Sequence, residues 1–156
     1  MWHIGLSAVS LLLSLLSATA VDLERSFLEN RPDLLLLHLS SRARLSLSLP
    51  EPISFSDQIS PEQSYFLFQD ILARFLTQEY FPESDLPGWL DRDRLILKAR
   101  WSFRDKKTDD QHAFRLLILF KLEQPQPPSA GRTAGGKGPQ VRSNPWQIIE
   151  IKAEKI

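Results

Sequence analysis

The chain contains no cysteine among its 156 residues, which excludes disulfides, thiolate catalysis and cysteine-ligated zinc. It also lacks a charge of either sign: 19 basic residues balance 19 acidic ones, so the basic excess of a nucleic-acid binder is missing and no nucleic-acid partner is expected. Asn30 and Asn144 have no Ser or Thr two positions on, so there is no N-glycosylation acceptor. Gly135-Gly136-Lys137-Gly138 lacks the Ser/Thr and the spacing of a phosphate loop and reads as linker. Serines have no nucleophile-elbow context, the loop aspartates fit no calcium spacing, and no second ligand stands at metal spacing beside His38. Neither a cofactor nor a metal is therefore expected. A run of roughly 20 strongly apolar residues, as a membrane span requires, is absent too; the longest run, Ile4 to Leu16, is interrupted by Ser7, Ser10 and Ser14.

That run is followed by Ala18-Thr19-Ala20, the small-x-small pattern that a signal peptidase accepts. Residues 1–20 read as a signal peptide, placing the mature protein in the periplasm or outside the cell with no membrane span after cleavage. Retention of the segment, as the anchor of an envelope component, is the alternative. Residues 21–156 suit one domain, and 42% hydrophobic residues supply a core that can offset chain entropy.

Leu23, Phe27 and Leu28 have helical spacing, and Pro32-Asp33 restarts a helix into Leu34 to Leu39, giving two short helices or one kinked at Pro32. From Arg42 to Leu49 the period is two, as in a strand with one wet face. Ser60-Pro61-Glu62-Gln63 combines a serine cap, a proline at the first helical position and a glutamine at the third. The helix it opens places Tyr65, Phe68, Ile71, Leu72, Phe75 and Leu76 on one core-facing stripe. Glu79 to Asp93 reads as an irregular connection with a short edge strand near Tyr80-Phe81.

Leu95, Leu97, Ala99, Trp101 and Phe103 alternate with polar neighbours, and Phe114, Leu116, Ile118 and Phe120 do the same after a polar turn, so the two stretches form a hairpin. Its opposite face carries Leu117 and Leu119, which need a cover. Gln124 to Asn144 is rich in Pro and Gly and reads as a flexible loop. The last strand starts at Pro145-Trp146, where a bulge near Ile148-Ile149 would turn Trp146, Ile148, Ile149, Ile151 and Ala153 all inward.

The order helix, helix, strand, long helix and antiparallel meander carries a resemblance. On Ser40-Ser41 before the strand, Gln63 to Phe75, Ala99-Arg100-Trp101-Ser102-Phe103, Phe114-Arg115-Leu116 and Trp146-Gln147-Ile148, the chain resembles the nuclear transport factor 2-like, ketosteroid-isomerase-like or cystatin-like superfamily. More narrowly, it resembles small secreted bacterial domains of unknown function with that fold. The resemblance implies an α+β domain in which a curved antiparallel sheet wraps the N-terminal helices and one long helix into a cone. It does not choose an activity, since the superfamily includes enzymes, ligand binders and interaction modules.

Enzymes of the superfamily set a carboxylate or histidine base in the cone against a tyrosine or protonated acid. The groups of matching parity here are His112, Glu150 and Tyr65. A binding domain would instead use Trp101, Phe103, Phe114, Leu116 and Tyr65 to line a pocket for a small apolar ligand. An interaction domain would use Leu117, Leu119 and Trp146 on the sheet face, for instance in a homodimer. The expected function is a non-catalytic exported ligand-binding or interaction domain, with an isomerase- or dehydratase-like enzyme as the alternative.

Overall fold

In a computed structural model of the chain, residues 4–84, 88–123 and 145–156 are described. The Pro/Gly-rich stretch from Gln124 to Asn144 lies outside them, as does the middle of the Glu79 to Asp93 connection. Helix α1 (Ile4–Leu28) runs without a break past Ala20, and Leu16 and Thr19 are already buried in the domain. Asn30, at a φ of 53°, turns the chain, and α2 (Pro32–Leu36) starts on its proline as expected, but the first helix is the end of a 25-residue one rather than a short stretch, and the second stops before Leu39.

Strand β1 (Leu45–Leu49) buries Leu45, Leu47 and Leu49, but starts later than its period suggests, and Ala43 is exposed. It turns through Pro50 to Ser54 into β2 (Phe55–Ile59), a strand that the sequence conceals because its pattern FSDQI buries only its last residue fully. Helix α3 (Pro61–Arg74) opens with a complete capping box. Ser60 Oγ accepts from the Gln63 amide at 3.2 Å, and Gln63 Oε1 accepts from the Ser60 amide at 2.9 Å.

The helix is shorter than its apolar stripe. Its buried face is Ser64, Phe68, Ile71 and Leu72, while Phe75 is the first residue of β3 (Phe75–Pro82), a strand of eight residues rather than a short edge piece. Tyr65 is not on the core stripe. It is half-buried, edge-on to the exposed Phe66 at 5.4 Å, because the face centred on Phe68 and Leu72 leaves it to one side.

Beyond β4 (Gly88–Trp89) come the long strands β5 (Arg94–Asp105), β6 (Gln111–Leu122) and β7 (Trp146–Lys155). β5 and β6 form the expected hairpin, with Trp101 opposite Phe114. β7 pairs Ile148 with Phe120 but Glu150 with Leu119, so Ile149 is an extra residue. This bulge lies where the change of parity requires it, and Trp146, Ile148, Ile151 and Ala153 are buried, while Ile149, the extra residue itself, is only half-buried rather than inside.

The strand order is β2-β1-β7-β6-β5-β3, with β4 on the free end of β5. The sheet is mixed rather than wholly antiparallel, because β1 runs parallel to β7. Helices cover its inner face. Phe27 of α1 joins the layers, stacked on Tyr80 at 4.9 Å and tilted against Trp101 at 5.0 Å. Arg74 at the end of α3 donates to the buried carboxylate of Asp105 at 2.9 Å, fastening the helix to the β5–β6 turn.

Candidate functional site

The inward residues of β5 and β6 converge under α1 and α3, where a pocket would have to open. Trp101, Phe103, Phe114 and Leu116 are each at most 1% exposed, so they are packing partners and not the wall of an open cavity. The Trp101 and Phe103 rings lie 4.2 Å apart, and Phe114 meets both edge-on at 5.9 and 5.0 Å. Trp101 Nε1 donates to Thr77 Oγ1 at 2.9 Å, which satisfies the indole inside the fold.

His112, Glu150 and Tyr65 are not brought together. His112 stands at the start of β6 with its ring 5.4 Å from that of Phe103. Glu150 is opposite Leu119 of β6 and Ser46 of β1. Since His112 and Leu119 lie seven residues apart on one strand, roughly 23 Å of β6 separates the two groups. Tyr65 is half-buried on α3. No proton could pass directly between His112 and Glu150.

Leu117 and Leu119 do point outward, and they are half-buried together with Ile96, the register partner of Leu119. Trp146 does not belong with them. It is 1% exposed and faces inward, with the exposed Trp89 ring edge-on to it at 5.6 Å. The Ile149 bulge is the reason, because it lets Trp146 share a face with Ile151.

The interior also holds polar groups with no sequence signal. His38 is 6% exposed, and its Nε2 lies 2.8 Å from Asp22 Oδ2 of α1, sixteen residues away in the chain. Its Nδ1 has no partner among the described residues. Ser40 donates to Glu123 across the sheet edge, and its oxygen accepts from the amides of Arg42 and Ala43. Tyr80 Oη is buried with no hydrogen-bond partner among the described residues, and burial, reinforced by Glu24, raises its phenol well above the ordinary tyrosine range. These groups tie α1 and the segment after α2 to the sheet. No periodic pattern marks such long-range pairs.

Two open clefts lie outside the cone. One, of about 540 Å³, carries Gln78, Glu79, Arg100, Ser102, Gln111 and His112 near the β5–β6 turn. The other, of about 390 Å³, holds Arg42, Asp93, Lys121 and Glu123. Among the described residues no group of three His, Cys, Asp or Glu could hold a metal ion. No helix among them is long and apolar enough to cross a membrane.

No family model matches the chain, and no curated protein matches it. Solved structures do. A DUF4783 family protein from Bacteroides fragilis superposes with a TM-score of 0.56 at 12% identity, covering 87% of this chain and 97% of that one. A ketosteroid isomerase-like protein from Erwinia carotovora atroseptica gives 0.60 at 12% identity, covering 92% and 95%. An NTF2-like protein from Cytophaga hutchinsonii gives 0.54 at 10% identity, covering 89% and 93%. At such identities the likeness is one of fold alone. With its helices laid on the inner face of one curved, mostly antiparallel sheet, the chain has the NTF2-like, or ketosteroid isomerase-like, fold.

Proposed function

We propose that the protein is an exported, non-catalytic interaction domain that pairs with a second copy of itself through the outer face of its sheet. The observation that carries this reading is the contrast between a filled interior and an unpaired apolar outer strip. A small apolar ligand in the cone would have to displace Trp101, Phe103 and Phe114, which are already in ring contact. The outer face, by contrast, offers Ile96, Leu117 and Leu119 on two adjacent long strands. Lys98 and Lys152 lie opposite Leu117, and Glu150 lies opposite Leu119, so both charge signs border the strip. A two-fold contact can match such a border to itself.

Light scattering on the purified full chain tests the pairing. A dimer that Leu117→Arg converts to a well-folded monomer supports the reading; a monomer at high micromolar concentration overturns it. Export rests on the apolar stretch before Ala18-Thr19-Ala20. The intact mass of protein recovered from outside the cytoplasm tests that part: a chain starting at Val21 means cleavage, and the full-length mass means a retained anchor.

A further inference from the structure

The cleft at the β5–β6 turn end of the outer face carries charge that the protein itself does not use. Arg100 lies directly opposite Arg115 across the β5–β6 ladder. Like charges in that relation are unfavourable. Arg115 is neutralised by Glu83 at 2.7 Å, but no carboxylate among the described residues lies within ion-pair distance of Arg100. Glu79 is opposite Ser102, and Arg100 is opposite Phe81, which makes Glu79 and Arg100 diagonal neighbours on one face. Diagonal positions are about 7–8 Å apart, well within reach of two long side chains, yet the two do not form an ion pair.

The surroundings are polar and equally uncommitted. The β3 register shifts between Thr77 and Glu79, so Gln78 has no ladder partner and is turned toward the cleft. Ser102, Gln111, His112, Ala113 and Ile156 complete the wall, and none of the polar side chains of the cleft makes a hydrogen bond within the described protein. Apolar surface beside it comes from the exposed Ile156, which lines the cleft, and from the exposed ring of Phe81, the register partner of Arg100.

We propose that this cleft binds a small zwitterion bearing a free ammonium and a free carboxylate, an amino acid or a short peptide. Arg100 takes the carboxylate, Glu79 takes the ammonium, and Ser102, Gln78 and Gln111 hydrogen-bond the amide frame between them. One molecule thereby neutralises both unspent charges. A simple anion would leave Glu79 repelling it, and a simple cation would be repelled by Arg100. Arg100 stands one same-face step along β5 from Lys98, the register partner of Leu117, so pairing and peptide binding are read by separate measurements.

The test titrates isotope-labelled full-length protein with glycylglycine, its N-acetyl form and its C-terminal amide, following backbone amide shifts. Glycylglycine should shift Ser102 and Ala113, and each blocked form should bind about fivefold more weakly, as the loss of one exposed ion pair allows. Arg100→Gln and Glu79→Gln should each weaken glycylglycine to the same degree, while Arg100→Lys retains part of the binding. Both side chains are exposed, so these variants keep the fold, and a native spectrum verifies it. Equal binding of the blocked forms, shifts confined to other residues, or no shift at tens of millimolar peptide each overturns the proposal. Light scattering on the same samples reports the dimer separately.

Discussion

On β5, the inward residues Leu95, Leu97, Ala99, Trp101 and Phe103 are at most 2% exposed, whereas the outward Lys98 and Arg100 are exposed and Ile96, Ser102 and Arg104 half-buried. One strand thus supplies two surfaces with different physics. The inner surface is filled by side chains of fixed shape, where each ring is in contact with others and any lost volume leaves a cavity. The outer surface is a mosaic of aliphatic and charged groups that water can still reach, where one substitution changes little in the monomer but can change what it binds. Among the described residues the cone interior is filled by packed rings, and open clefts lie on the outer sheet and at its end.

The sharpest way to break that contrast is Phe103→Ala. It removes a ring at 0% exposure that touches Phe75, Trp101 and Phe114, and should cost about 3–5 kcal/mol in a urea melt. A cost below about 1 kcal/mol would mean that the cone has spare room after all. Asp22→Ala should come next, at about 1–3 kcal/mol, because it leaves the buried His38 without its one side-chain partner. An unchanged urea midpoint would show that the pair contributes only position.

Asp105 gives a pH-dependent test at the edge between the two surfaces. Hydrogen bonding from the Lys107 amide, and then the Arg74 guanidinium, hold its carboxyl below the ordinary aspartate range. A carboxyl lowered by folding contributes stability that is present above its unfolded pKa of about 3.9 and is lost as pH falls through the folded value. Wild type should therefore lose Tm more steeply than Asp105→Asn below about pH 4, and the gap between them should narrow. A constant gap from pH 7 to pH 3 would contradict this. The smallest effect on the fold belongs to Leu117→Arg, within about 0.5 kcal/mol of wild type in the monomer, even though it should abolish the proposed dimer. A large loss of monomer stability would place Leu117 with the inner surface.

Much of the fold is legible along the chain because alternation and capping are local. The β5–β6 hairpin, the Ser60–Gln63 box, the restart at Pro32 and the Ile149 bulge each follow from spacing or from turn chemistry within a few residues. β2 is not legible, since an edge strand with one fully buried side chain has almost no period. The end of α3 is hidden for the opposite reason: Phe75 continues the helical stripe and the strand pattern equally well, and only pairing with Asp105 settles it. His112 and Glu150 lie far apart because shared parity says which face a residue takes but not how far along the strand it lies.

Sequence by itself determined that this is a cysteine-free, charge-balanced α+β domain with two strongly alternating strands, because those properties depend on composition and on neighbours. Tertiary structure alone decided that β1 runs parallel to β7, that Asp22 meets His38, that Trp146 turns inward, and that Arg100 and Glu79 share a cleft without bridging. Each of these depends on which distant segments lie side by side, and that is set by how the whole core packs.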